Sequence, residues 1–252
     1  MLAPDTLSFL FVAGLVGGAL NAAAGGGSFI TLPALVYAGL PAVAASASST
    51  VALFPGRVTS AWVYRNDLAG FGGVSLRALL AASLGGGAVG AMLLLHTSAA
   101  RFDAVVPWLL LAATVTFAAG PRLSAIRRTA AHAPPAILIV GQFLLCAYSG
   151  YFGGAVGIMT LALWSLAGVP DVRAMNAVKT VLLGVSNSVS VLCFVAARAV
   201  HWPVAGAMLL GAALGGYAGA HLTRRVTAQH LRIGLTVFNV AVTGAFFLKL
   251  TR

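Results

Sequence analysis

Apolar positions come in long blocks separated by short polar or basic stretches. The blocks cover residues 6–23, 28–40, 43–64, 73–95, 105–120, 136–152, 157–168, 174–197, 203–222 and 231–250. Most approach the roughly 20 residues that carry a helix across a ~30 Å hydrocarbon layer. Two do not: residues 28–40 and 157–168 would each rise only about 20 Å or less as helices, at ~1.5 Å per residue. The first block, followed by Ala22-Ala23-Ala24, has the outline of a signal peptide. Residues 1–6 lack the Lys or Arg that a secretory n-region needs, so the block is expected to belong to the mature chain.

The two short blocks correspond. A shift of 129 residues pairs Gly25 with Gly154, Thr31 with Thr160, Leu32 with Leu161, Gly39 with Gly168 and Pro41 with Pro170. The same shift pairs Gly86, Gly87, Gly90 and Ala91 with Gly215, Gly216, Gly219 and Ala220, and Thr114 with Thr243, without a gap. The expected architecture is therefore an all-α polytopic membrane protein. Its single membrane domain (1–252) would hold a first repeat over 1–123, a basic linker over 124–135 and a second repeat over 136–252. The glycines of 85–90 and 211–219 recur about one helical turn apart, a spacing that lets helix backbones approach closely.

Composition fixes the solvent. The chain has 252 residues, of which 60% are hydrophobic and 8% charged, with a mean hydropathy of +0.99. A soluble domain carries about a quarter charged residues, so a soluble globule, a disordered chain and a disulfide scaffold are excluded. Fifteen Lys and Arg against four Asp give a net charge of +11. Most of these cations lie between the blocks, as in cytoplasmic loops, so no nucleic-acid partner is inferred. Cys146 and Cys193 sit inside blocks without metal-type spacing. No cofactor or metal motif is present, and the oligomeric state stays open, a homo-oligomer included.

The loop cations also bear on topology. With an odd number of crossings in each half, Arg65, Arg77, Arg122, Arg127, Arg128, Arg173, Arg224, Arg225 and Arg232 share one face, against Arg101, Arg198, Lys249 and Arg252, nine to four. An even number gives eight to five. The positive-inside rule thus favours inverted halves, each with a broken or re-entrant helix, and both termini outside.

Paired short segments at matching positions of two halves point to a transport site. A helix interrupted in the membrane survives only where protein or a water-filled cavity surrounds its freed backbone groups. The N–H groups that open the next half-helix carry partial positive charge. Gly25-Gly26-Gly27-Ser28 precedes one half-helix and Gly153-Gly154-Ala155-Val156-Gly157 the other. The alternative is a tight turn between packed helices.

Two cations lie deep inside blocks, away from their ends: Arg57, after Pro55-Gly56, and Lys179, in Asn176-Ala177-Val178-Lys179-Thr180. A charge at the bilayer centre costs about 2.5–3.5 kcal/mol even on the lenient scale and is normally paired or wetted. No block contains a carboxylate. A small anionic substrate is then the natural counter-charge, with snorkelling to an interface as the alternative, more so for Arg57. The corresponding stretch of the first half offers Ser46, Ser49 and Thr50 on one helical face. Thr50 corresponds to Lys179 and Ala47 to Asn176. Hydroxyls from one half with an ammonium and an amide from the other suit an oxyanion. Asn21, Ser186, Asn187 and Ser190 are secondary candidates, since membrane Ser and Thr often bond their own backbone.

At these residues the chain resembles the TauE/SafE sulfite exporter family, also called the TSUP family. The resemblance rests on Gly25-Gly26-Gly27-Ser28-Phe29 with Pro33, Gly39-Leu40-Pro41 and Ala45. Its second-half echo runs from Gly153-Gly154 through Gly168-Val169-Pro170 to Asn176 and Lys179. His201-Trp202-Pro203 and the run Gly215-Gly216-Tyr217-Ala218-Gly219-Ala220 also fit, so the likeness spans nearly the whole chain. It implies a multi-pass protein of a prokaryotic inner membrane, with about eight spans, that moves sulfite, sulfoacetate or related sulfonates. The eight spans and the odd count per half remain to be reconciled.

The expectation is alternating-access transport of such an anion. An anion channel at the same site is the alternative. An intramembrane enzyme is disfavoured, because there is no His-Glu-x-x-His, no Gly-x-Ser-x-Gly and no carboxylate pair.

Overall fold

The computed structural model describes residues 3–24, 26–63, 65, 73–125, 134–166, 172–222 and 228–250. Among the described residues there are ten helices: α1 (Pro4–Ala24), α2 (Ser28–Tyr37), α3 (Ala42–Val63), α4 (Leu76–His96), α5 (Ala99–Ala125), α6 (Pro135–Tyr151), α7 (Val156–Leu166), α8 (Val172–Ala196), α9 (Trp202–Leu222) and α10 (Ala228–Leu250). Each apolar block became one helix. The two short blocks became α2 and α7, of 10 and 11 residues; the other eight helices have 17 to 27. Eight long helices and two short ones are compatible both with eight spans and with five segments in each half.

Two of the shifted boundaries bring acids into helices. α1 and α5 start before their apolar blocks and take in Asp5 and Asp103, both exposed near the helix starts. Acidic residues near a helix start cost little where that end reaches the headgroups. At the other end of a span, Arg65 stacks on the Trp62 ring at 4.2 Å and donates to the Trp62 carbonyl. An aromatic–basic pair of this kind anchors a helix end at a membrane interface. Outward positions such as Val12, Leu144, Leu192 and Leu210 are more than half exposed, as a lipid-facing surface requires.

Small residues set the packing. α1 lies most extensively on α9, and α4 on α6. Gly14 abuts the backbone of Met208 and Gly18 that of Ala212, so α1 and α9 run in the same direction. Gly86 abuts Phe143 and Gly90 abuts Ala147, so α4 and α6 also run together. A Cβ at Gly90, Gly211 or Gly215 would collide with a carbonyl oxygen of the partner helix. The glycine repeats therefore do the packing work expected of them.

α2 folds back along α1. Gly17 faces Thr31, and farther back the Phe9 and Tyr37 rings meet at 5.6 Å. α5 and α10 run oppositely: Trp108 contacts the Phe247 ring, while Thr114 and Thr243 share a hydrogen bond of 3.4 Å. The largest apolar cluster includes Phe29, Phe102, Phe152, Ala155 and Phe194, and so encloses the starts of both short helices.

Candidate functional site

The two half-helix starts meet. A Cβ built on Gly153 would lie 3.6 Å from Ser28 Oγ, and one on Gly154 would lie 3.2 Å from the Phe29 ring. Gly26, Gly27, Ser28, Gly153 and Gly154 are all buried; Gly25 lies outside the described residues. Gly153 has φ +82° and Ala155 φ +56°. The first is ordinary for glycine, whereas an L-alanine there carries local strain. Gly27 caps α2 without a side-chain hydrogen bond. The early N–H groups of both helices bond the break segments: Phe29, Ile30 and Thr31 donate to the Gly26 and Gly27 carbonyls, and Ile158 and Met159 to that of Ala155.

The side chains predicted for the site divide between the two short helices. Ser49 Oγ and Thr31 Oγ1 are 2.6 Å apart and both buried, which ties α3 to α2. Ser46 Oγ donates to the Tyr151 carbonyl at 3.4 Å, which ties α3 to the end of α6 just before the second break. Thr50 is half-buried. On α8, Lys179 Nζ donates to Asn176 Oδ1 at 2.6 Å. Its Cδ and Cε lie 3.8 Å from a Cβ built on Gly157, so the lysine stem runs past the first turn of α7. Thr180 Oγ1 bonds the Asn176 carbonyl. Such a back-bond, one turn along its own helix, is the structural role that membrane Thr often plays. Arg57 is half-buried, with its carbonyl 3.6 Å from a Cβ built on Gly184 of α8. Asn187 is buried, with no hydrogen-bond partner for Nδ2. Among the described residues no group of three His, Cys, Asp or Glu could hold a metal ion.

A cavity of about 430 Å³ opens between α1, α3 and α9, lined by Asn21, Leu53, Pro55, Thr59, Gly216 and neighbours. It reaches the first break: a Cβ on Gly27 would lie 2.8 Å from Asn21 Cβ and 3.1 Å from Leu53 Cδ1. Lys179 is not part of its lining. The space is therefore beside the breaks and not around them, with Phe29 and Phe152 packed against Gly154.

Sequence reasoning missed Thr31, Leu53 and the polar side chains Ser83, Gln142 and Ser149, all buried. Gln142, an amide within an otherwise apolar block, was the available signal. Leu53 carried none.

A model of the sulfite exporter TauE/SafE family matches residues 10–246. The chain belongs to this family. A "Probable membrane transporter protein" of Haemophilus influenzae is 30% identical over 222 residues, covering 86% of this chain and 85% of that protein. "Probable membrane transporter protein ORF9" of a Sinorhizobium species is 29% identical over 247 residues, 96% and 92% of the two chains. "Probable membrane transporter protein YfcA" of Escherichia coli K12 is 29% identical over 226 residues, 88% and 82%. No solved structure matches. Family membership and, among the described residues, four helices long and apolar enough to cross a bilayer make the chain a multi-pass integral membrane protein.

Proposed function

We propose that this protein is a carrier, residing in a bacterial inner membrane, that exports a small oxyanion such as sulfite or a sulfonate by alternating access. The names of its relatives support the transporter class. The observation that carries the reading is the meeting of the two half-helix starts, with the Lys179 stem laid along one of them. The positive ends of two helix dipoles and an ammonium converge there, close to where the halves touch. Asn176, the partner of Lys179, is a neutral amide and leaves the positive charge uncompensated. An anion supplies what the protein withholds.

The halves are read as homologous and inverted. The pairs α1–α9 and α4–α6 each join helix one of one half to helix four of the other, as two-fold-related halves would, and the antiparallel run of the corresponding helices α5 and α10 fits an axis in the membrane plane. The hydrogen bond between Thr114 and Thr243, residues 129 apart, supports an axis passing between α5 and α10. The interior-negative potential drives each unit of negative charge outward by about 2.3 kcal/mol per 100 mV, so a uniporter suffices for export.

The test is anion flux from proteoliposomes loaded with sulfite or sulfoacetate under an imposed voltage. Saturable, voltage-driven flux that falls strongly in Lys179→Met and partly recovers in Lys179→Arg supports the reading. Flux unaffected by Lys179→Met, or demanding a pH gradient and ignoring voltage, overturns it. Single-channel currents would replace the carrier by a pore.

A further inference from the structure

The cavity between α1, α3 and α9 has a counterpart that is shut. Under the 129-residue shift its lining residues Asn21, Leu53, Pro55, Ala212 and Gly216 correspond to Gly150, Leu182, Gly184, Ser83 and Gly87. Those residues belong to α6, α8 and α4, and there the helices touch. A Cβ on Gly150 would lie 2.6 Å from the Gly87 carbonyl oxygen and 3.0 Å from Ser190 Oγ. One on Gly87 would lie 2.5 Å from the Ser186 carbonyl oxygen. By contrast, a Cβ on Gly216 would find its nearest neighbour at 3.8 Å.

The shut seam is also polar. Ser83, Gln142 and Ser190 are 0% exposed, Ser149 2% and Asn187 3%. Gln142 Nε2 donates to Ser83 Oγ at 3.0 Å and to Cys146 Sγ at 3.3 Å. Ser190 Oγ donates to the Gly87 carbonyl at 3.1 Å, bridging α8 to α4. Gln142 Oε1, Ser149 Oγ and Asn187 Nδ2 are buried without a partner. Gln142, Cys146, Ser149 and Gly150 form one stripe of α6 that faces α4 and α8. A seam serving only to hold helices together would match its donors and acceptors, because each one left unmatched destabilises the bundle by about 1–3 kcal/mol.

We infer that the α4–α6–α8 seam is the second half of the anion's path, closed in this conformation, and that Ser83, Gln142, Ser149 and Asn187 line it when it opens. This rests on the transport reading above. The occupant is a small hydrated oxyanion. It would take hydrogen bonds from the serine hydroxyls and the two side-chain amides, while water satisfies the acceptor Gln142 Oε1. The α1–α3–α9 cavity is the path's other half, open now. Access alternates by exchanging the two arrangements between the halves.

Cys146 is a native reporter, fully buried against Gly86 and Gln142. Replacing Cys193 by Ser leaves it as the sole thiol. A second protein, Thr59→Cys with Cys146→Ala and Cys193→Ser, places the sole thiol in the open cavity. Both are treated with a membrane-impermeant methanethiosulfonate, in cells and in inverted membrane vesicles. The added anion is an organosulfonate, because sulfite itself consumes the reagent. The expected result is labelling of the two positions from opposite faces, with rates that the sulfonate shifts several-fold in opposite directions. A Cys146 that never reacts, or that reacts from the same face as Thr59→Cys, overturns the inference.

Ser149→Ala supplies a second reading. The expected result is several-fold slower flux with an unchanged or higher melting temperature, because the deleted hydroxyl has no partner to lose. A lowered melting temperature with unchanged flux makes the seam structural and overturns the proposal. Absent flux in the unsubstituted protein sinks the transport reading instead, while the labelling pattern still decides whether the seam opens.

Discussion

Two regions built on corresponding positions have opposite states. Around Gly216, α3 stands off the packed pair α1 and α9, and the gap holds about 430 Å³. Around Gly87, 129 residues earlier, α4, α6 and α8 are in backbone contact. The open side is lined mostly by apolar residues and small hydroxyls that bond their own helix, as Thr59 and Ser60 do to the carbonyl of Gly56. The closed side holds unmatched amide and hydroxyl groups. The difference teaches that likeness of sequence between the halves does not impose likeness of conformation.

The comparison breaks most visibly at the open side. Gly216→Leu places a branched side chain in the cavity, where the nearest backbone atom to its Cβ is 3.8 Å away. Most of the flux measured in proteoliposomes should disappear while the melting temperature stays close to that of the parent. Undiminished flux would mean that the cavity is a lipid-facing cleft with no part in transport.

Adding a single methyl group sharpens the contrast. Gly87→Ala drives a methyl into the Ser186 carbonyl and should cost about 1–3 kcal/mol, the usual cost of overpacking. Gly216→Ala meets nothing closer than ordinary contact and should change stability by less than about 0.5 kcal/mol. Thermal melting of the two purified variants in one detergent measures the difference. Equal losses would show that the two sides are packed alike in solution.

The same contrast runs, more weakly, through the short helices. Thr31 and Thr160 correspond, are fully buried and each bond a carbonyl of their own helix start, Gly27 and Val156. Thr31 has in addition the 2.6 Å bond to Ser49, whereas the residue corresponding to Ser49 is Val178. Thr31→Val should therefore cost about 1 kcal/mol, the net worth of a buried hydrogen bond. Thr160→Val, which gives up only a back-bond, should cost less than about 0.5 kcal/mol. Melting curves of both variants and of Ser49→Ala check this, and Ser49→Ala should match Thr31→Val.

How much of this was legible in the sequence depends on the kind of information. Helix number and the two short segments were readable because hydrocarbon imposes a length on every apolar block, and residues 28–40 and 157–168 fall short of it. The glycine interfaces were readable because spacing by one turn is geometry within one helix. Lys179 beside Gly157 was within reach because a cation stands out in the middle of an apolar block. Its partner Asn176, three residues away, follows from helical periodicity.

The cavity was not legible. It depends on how far apart three helices stand, and equivalent sequence stands close at Gly87 and wide at Gly216. Leu53, which separates the cavity from Gly27, is one leucine among many. The expectation that Ser46, Ser49 and Thr50 would face Lys179 as one constellation rested on symmetry alone. In the fold, Ser49 binds α2 and Ser46 reaches the end of α6, while the Lys179 stem packs from α8 against α7. Symmetry names corresponding positions and leaves open which neighbour each one meets.

The finest test concerns the seam where the two halves should be most alike. Thr114 and Thr243 are 4% and 5% exposed and face each other across α5 and α10 at 3.4 Å. If a pseudo-two-fold axis passes between them, the two hydroxyls have equivalent surroundings. Thr114→Val and Thr243→Val should then cost the same few tenths of a kcal/mol, because the bond is long and interhelical bonds in membranes average only about 0.6 kcal/mol. In a double-mutant cycle read from unfolding in detergent, the double variant should cost no more than either single one, since the first substitution already removes the shared bond. Unequal single effects would place the axis elsewhere. Strict additivity would mean that each hydroxyl bonds its own helix and that the pair is adjacent without being coupled.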